Sequence, residues 1–230
     1  MSLKDELVDK VESIFSEQWT ERDGQVVPKA DDLKLSNDAV KLEGVVLYAD
    51  LSESTKLVDK KSKYFSAEIY KTYLHCAAKI IRSEGGEIAA YDGDRIMAVF
   101  IGDSKNTSAA RAALKINYAR IKIINPAIKK QYPKSTYQVK HTVGVDNSSL
   151  FIARTGIRGS NDLVWVGRAA NHAAKLGGLS NDYPSRITGA VYNSLDDDLK
   201  YSDGKSMWEK VTWTDMDRTI YRSTWWWRVS

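Results

Sequence analysis

The run VVLYAD, residues 45 to 50, places five apolar or aromatic residues in succession and then a carboxylate. The apolar residues are continuous rather than alternating, which is the mark of a strand buried on both faces. The tract Ser52, Glu53, Ser54, Thr55 follows at once, so the strand is a rigid stem that delivers Asp50 beside a polar loop. A chain of 230 residues, 43% hydrophobic and 28% charged, is long enough to bury such a stem in one substantial globular core.

Upstream, Leu3, Leu7, Val11, Ile14, Phe15 and Trp19 recur every three or four residues, one face of an amphipathic helix. Polar residues with Gly24 and Pro28 as breakers come next. Residues 1–42 therefore read as an N-terminal helix and polar linker that packs on the main domain or on a second subunit, and 43–230 as the main domain. Downstream, residues 64–82 are helical in period and stop at Gly85-Gly86, where a left-handed conformation costs little. EIAAY and RIMAVFI flank Asp92-Gly93-Asp94, a hairpin signal in which both central residues adopt positive φ. A second long helix is expected over 105–130, then strands in YQVKHTVGVD, SLFIART and LVWVG, a short helix in AANHAAKLGG, and strands in SRITGAVYNSL, KVTWTD and TIYRSTWWWRV. The core order is strand, helix, strand, strand, helix, strand. That is a ferredoxin-like α+β arrangement, an antiparallel-rich sheet with helices on one face.

In that order the first strand neighbours the hairpin, so Asp50 and Asp94 converge at one sheet edge. Two carboxylates there suit a hard cation, Mg²⁺ or Mn²⁺, that bridges to substrate phosphates. Ser54 and Thr55 open a helical stretch whose N–H groups are donors for a phosphate. Asp50 and Asp94 also read as a helix cap and a turn aspartate.

YADLSEST, EGGEIAAYDGDRIMAVF, VGVDNSSLFIARTG and WVGRAANHAAKLGGL, in that order, resemble the four motifs of the class III nucleotide cyclase catalytic domain over roughly residues 43–225. The resemblance implies a phosphorus–oxygen lyase with two metal ions held by Asp50, Asp94 and the carbonyl of Leu51. It places Asn171 on the transition-state asparagine and Lys175 where the family has arginine. It implies a head-to-tail homodimer with active sites at the interface, aspartates from one chain and the asparagine helix from the other. The phosphate-binding arginine of the family is replaced by Ser149, which leaves Arg218 or Lys210 to supply that charge.

Base recognition departs from the family's purine pattern. Ala90 and Val164 stand where adenylate cyclases carry lysine and aspartate, and neither side chain can hydrogen-bond a base edge. Pocket size, main chain, or neighbours such as Tyr91, Trp165 and Arg168 must then select the base. In this the chain resembles the bacterial pyrimidine cyclases of anti-phage defence. That resemblance implies UTP, then CTP, converted to the 3′,5′-cyclic monophosphate and pyrophosphate, a second messenger for a separate effector protein. The alternatives are an adenylate or guanylate cyclase and a silent nucleotide-binding regulatory domain. An RNA-binding module of similar topology is a further rival, but it lacks the basic-aromatic signature on its central strands, so no nucleic-acid partner is expected.

Other features read plainly. GGEI at 85–88 is a helix stop entering a strand, His75 and His172 are helix-packing residues and His141 lies in a strand, with no second ligand at zinc spacing. Trp225, Trp226 and Trp227 read as core and edge packing. One cysteine, Cys76, excludes a disulfide framework, and no signal peptide or run of about 18 apolar residues occurs, so a cytoplasmic protein without a membrane span is expected. The net charge of +4 fits a polyphosphate ligand without demanding one.

Overall fold

A computed structural model describes residues 2–229. The chain runs α1 (Leu3–Ser16), β1 (Thr20–Asp23), β2 (Asp38–Leu51), α2 (Ser54–Lys60), α3 (Lys63–Ser83), β3 (Glu87–Asp92) and β4 (Arg95–Phe100). It continues through α4 (Lys105–Tyr118), a π-helical turn (Ala119–Ile124), α5 (Asn125–Gln131), β5 (His141–Ile157), β6 (Ser160–Val166) and α6 (Arg168–Gly177). It closes with β7 (Ser185–Thr188), α7 (Gly189–Asn193), the small hairpin β8 (Tyr201–Ser202) and β9 (Lys205–Ser206), then β10 (Glu209–Trp213) and β11 (Arg218–Ser223).

Two compact units form, a smaller one from residues up to Glu43 with Ser149–Gly167, and a larger one from Gly44–Ser148 and Arg168 onward. In the smaller unit β1 lies parallel to the start of β2, Thr20 opposite Asp38, and β6 folds back antiparallel on the end of β5. The stretch expected as linker thus contains a strand and the buried Leu33. Its four strand residues, Thr-Glu-Arg-Asp, are all exposed, which is why no apolar pattern announces it. Ser2 and Asp5 close a capping box at the start of α1, and none of that helix's residues is buried.

The larger unit is built on a sheet of order β10-β11-β7-β5-β2-β4-β3. Its pairs are antiparallel where β2 meets β4, β4 meets β3 and β11 meets β7 and β10, and parallel where β5 meets β7. Val45, Leu47, Ala49 and Leu51 turn to one face, where α3 and α4 cover them in a single apolar core. At about 25 cal/mol per Å² of apolar surface, this layer supplies most of the drive to fold. Gly85, at φ +81°, ends α3, and Gly86 leaves no room for a side chain against the Phe100 ring.

Several expected boundaries shift. The helix expected over 105–130 is α4, a π turn and α5. YQVKHTVGVD and SLFIART are one continuous strand, β5. SRITGAVYNSL is a strand followed by α7, because the Thr188 hydroxyl caps a helix by accepting from Val191 N. Residues 224–227 carry on past β11 without strand structure, and Trp225 and Trp227 pack against the core.

Helices do not cover one face only. Gly144 and Asp146 alternate with the core residues Val143 and Val145, so they face away from α3, and α6 lies on that second face. A Cβ at Gly144 would come within 2.2 Å of the Ala173 carbonyl oxygen, so the helix rests on bare main chain. The unbroken apolar run in β2 belongs to a strand covered on both sides.

His141 is 1% exposed and stacks on Tyr73, and neither of its ring nitrogens has a hydrogen-bond partner among the described residues. Burial, helped by the charge of Arg120, pushes its pKa down to about 3. The unfolded chain then binds a proton that the folded one refuses, so stability is lost as pH falls from about 6.5 toward 3. We expect His141→Phe to remove on the order of 2 kcal/mol of acid destabilisation between pH 7 and 4. Denaturant midpoints at the two pH values check it, and parallel slopes for both proteins would clear His141 of the effect.

Candidate active site

The β2–β4 register sets Asp50 opposite Arg95, and Leu51 N donates to the Asp94 carbonyl at 3.3 Å. Asp94 is the second residue of the two-residue turn between β3 and β4, in which only Gly93 has positive φ, at +59°. A single glycine suffices to reverse the chain there. The two aspartates thus sit at adjacent ends of a paired strand and hairpin, as expected from the order of elements.

They line an open cleft of about 480 Å³ with Ser52, Ser54, Thr55, Arg95 and the segment Gly177–Asn181. Leu51 lines it too, and since its side chain belongs to the apolar core its main chain is what borders the cleft. Glu53 adopts a left-handed conformation at φ +62° that turns β2 sharply into α2, and it is held by Lys140 at 3.0 Å and Asn181 at 3.3 Å. Strain of this kind, about 1–3 kcal/mol, persists where surrounding contacts fix it. Its effect is to keep Ser54 and Thr55 on the cleft wall.

Burial first, and the nearby charge of Asp94 second, push the Asp50 carboxyl up to about 6, while Arg95 pulls the other way. Two crowded carboxylates with a main-chain carbonyl make an all-oxygen donor set, which fits a hard divalent cation whose charge relieves the repulsion. Among the described residues no group of three His, Cys, Asp or Glu side chains forms a complete metal cage. Magnesium-type ions do not need one, since water and substrate phosphates fill the remaining positions.

Asn171 and Lys175 stand elsewhere. On α6, Arg168, Asn171, Lys175 and the following Gly178 are exposed, at spacings of three and four, while Ala169, His172, Ala173 and Leu176 are buried on the opposite side. The asparagine and lysine therefore form an outward stripe, and neither lines the cleft of Asp50 and Asp94. The Lys175 ammonium reaches Met216 Sδ at 3.7 Å, just before Arg218 opens β11; Lys210 is exposed on β10.

Residues expected to read the base separate. A bulge at Ala89 interrupts the β3–β4 register, so Ala90 pairs with Met97 and shares the Asp50 face, whereas Tyr91 pairs with Ile96 and turns to the α3 face. Tyr91 lines a groove there with His75, Lys79 and Arg82. Val164 and Trp165 lie on β6 in the smaller unit, Val164 exposed and Trp165 half-buried. Arg168 is bonded through Nε to the buried Asp146 at 3.1 Å, and also donates to the Asn147 carbonyl. Ser149 is exposed on β5.

Sequence reasoning misses Arg95, adjoining Asp50 and paired to Asp92, and the wall from Gly177 to Asn181. The DGDR motif and the double glycine after α6 are the available signals, and turn chemistry alone accounts for each of them in the sequence.

No protein-family profile matches the chain. Two curated proteins named uridylate cyclase, from Xanthomonas perforans and Burkholderia cepacia, are each 54% identical to it over 231 residues, 100% of this chain and 100% of theirs. Among solved structures, the adenylyl cyclase CyaB from P. aeruginosa aligns with a TM-score of 0.68 at 17% identity, covering 80% of this chain and 95% of that one. At that identity the structural likeness speaks to the fold alone.

Proposed function

The chain belongs to the uridylate cyclases and has the fold of a class III nucleotide cyclase, and on that premise we propose that it converts UTP to 3′,5′-cyclic UMP and pyrophosphate at sites shared between two copies. The observation that carries the substrate is identity of 54% over the full length of two uridylate cyclases. The split between the aspartate cleft and the exposed stripe of α6 supports the shared site.

In the reaction the ribose 3′-oxygen attacks the α-phosphorus, the bond to the β-phosphate's bridging oxygen breaks, and the hydroxyl proton passes to water. Asp50, Asp94 and the Leu51 carbonyl would hold two Mg²⁺ or Mn²⁺ ions, which when bound neutralise phosphate charge and ease ionisation of the hydroxyl. Main-chain donors at Ser54 and Thr55 face the phosphates. Asn171 and Lys175 of the second copy orient the substrate and stabilise charge in the transition state, lysine without the planar fork of arginine. Ala90 lends the base no polar side chain, so the pyrimidine is selected by fit and main-chain contacts.

A cytoplasmic setting, with a separate effector reading the product in anti-phage defence, completes the reading. Among the described residues no helix is long and apolar enough to cross a membrane, and Cys76 is a free thiol.

Each of the four triphosphates, supplied separately with Mn²⁺, tests the substrate by product separation and mass measurement. Cyclic UMP is expected, with CTP slower and ATP and GTP poorer by about tenfold or more. Efficient cyclisation of ATP without a pyrimidine product would refute it.

A further inference from the structure

Thr142, Gly144, Asp146 and Ser148 are alternate residues of β5, and all four address α6. The Thr142 hydroxyl donates to the Gly177 carbonyl at the helix's end, Gly144 lets the helix sit on the strand, and Ser148 Oγ accepts from Ala169 N at its start. Asp146 is the one charged member, and its side chain is wholly buried. Its Oδ1 accepts from the Thr188 hydroxyl at 2.5 Å, and its Oδ2 accepts from Arg168 Nε at 3.1 Å. His172 Nδ1 lies 3.0 Å from the same Oδ2, and burial holds the pKa of its ring down. Arg168 and His172 are four residues apart and flank Asn171.

We propose that Asp146 is a positioning residue for the cyclisation, fixing the rotation of α6 about its axis and thereby aiming Asn171 and Lys175 at the substrate held by the other copy. This rests on the shared-site reading above. An amide in place of this carboxylate has one acceptor oxygen to share between Thr188 and Arg168 and no charge to hold the guanidinium, and the main chain of β5 at Gly144 carries no side chain to stop the helix turning. An angular error small enough to leave the fold intact displaces Asn171 from the transition state, where about 1 Å can cost a hundredfold. Arg168 then acts through Asp146 and not on the base.

The test uses the full-length chain with Asp146→Asn. Its kcat for UTP should fall by about thirtyfold or more, with KM within about threefold of the parent, because the substitution weakens an interaction that forms in the transition state. Mixed with Asp50→Ala subunits it should regain activity, as Asn171→Ala should, since one site of each mixed dimer then takes its aspartates from the Asp146→Asn chain and its helix from the other. Mixed with Asn171→Ala it should regain none. A merely structural defect would raise the activity of both mixtures equally or of neither. Unchanged kcat, a loss confined to KM, or rescue by Asn171→Ala but not by Asp50→Ala would overturn the assignment.

If Asp146→Asn does not fold, Arg168→Met decides, because that side chain is 41% exposed and its removal spares the core. It should lower kcat by about tenfold and join the same complementation group. A change in KM and in the UTP to CTP ratio with kcat kept would return Arg168 to the base and refute the proposal. Should Asp50→Ala and Asn171→Ala themselves fail to complement while exchanging subunits, the shared site falls, and the split between kcat and KM still judges Asp146.

Discussion

Asp50→Asn and Asp94→Asn are each expected to lower cyclisation by at least about a thousandfold while the protein stays folded. Each removes one of the two carboxylates proposed to hold the ions, and the chain has no third side-chain ligand to take over among its described residues. The fold survives because both residues sit at strand ends on the cleft wall, outside the apolar core. For Asp50 the fold should gain. Its carboxyl titrates near 6 in the folded chain, above the ordinary 3.8, so without metal its charge opposes folding above that range, and the opposition disappears as pH falls below 3.8. Solvent screening at this half-exposed group leaves about 1 kcal/mol at pH 7.5. Thermal melting in chelator should show Asp50→Asn above the parent at pH 7.5 and level with it near pH 3.5. Turnover by either variant within tenfold of the parent would remove the two aspartates from the mechanism.

Asp50→Ala and Asn171→Ala, each inactive alone, should together recover about a quarter of parental activity. In a two-fold dimer with both sites at the interface, random exchange makes half the dimers mixed, and each mixed dimer holds one intact site of two. From near zero to about a quarter is a large change for a mixture of dead proteins. It follows from the placement of Asn171 and Lys175 on an exposed stripe that does not line the cleft of Asp50 and Asp94. Exchange is verified by mass measurement of tagged subunits. Exchange without activity would place both residues in one chain's site.

The convergence of Asp50 and Asp94 is legible in the sequence because two rules suffice for it, a strand, helix and hairpin in succession and an Asp-Gly turn. The α6 stripe is legible for the same kind of reason, three-and-four spacing closed by glycines. What stays hidden depends on contacts far apart in sequence. β5 looks broken at Asn147 and Ser148, whose polarity serves the Asn106 side chain and α6, not a loop. β1 is exposed along its whole length and leaves no apolar trace. The smaller unit joins residues up to Glu43 with Ser149–Gly167, a pairing no local pattern encodes. The π turn after α4 keeps helical apolar spacing, so the interruption is invisible.

The β3–β4 turn decides which side chain of β3 stands on the same face as Asp50. Side chains along a strand alternate, so which residue of Ala90 and Tyr91 looks toward Asp50 is decided by the number of residues before the turn. Losing one residue between Tyr91 and the turn would exchange their faces and set an aromatic ring on the Asp50 side, whereas losing Ala89 would only remove the bulge and leave both where they are. A single-codon gain or loss in this short segment would therefore change the side chain offered beside Asp50 without any substitution. An alignment that scores only residue identity would place that gap arbitrarily and pair the wrong side chains.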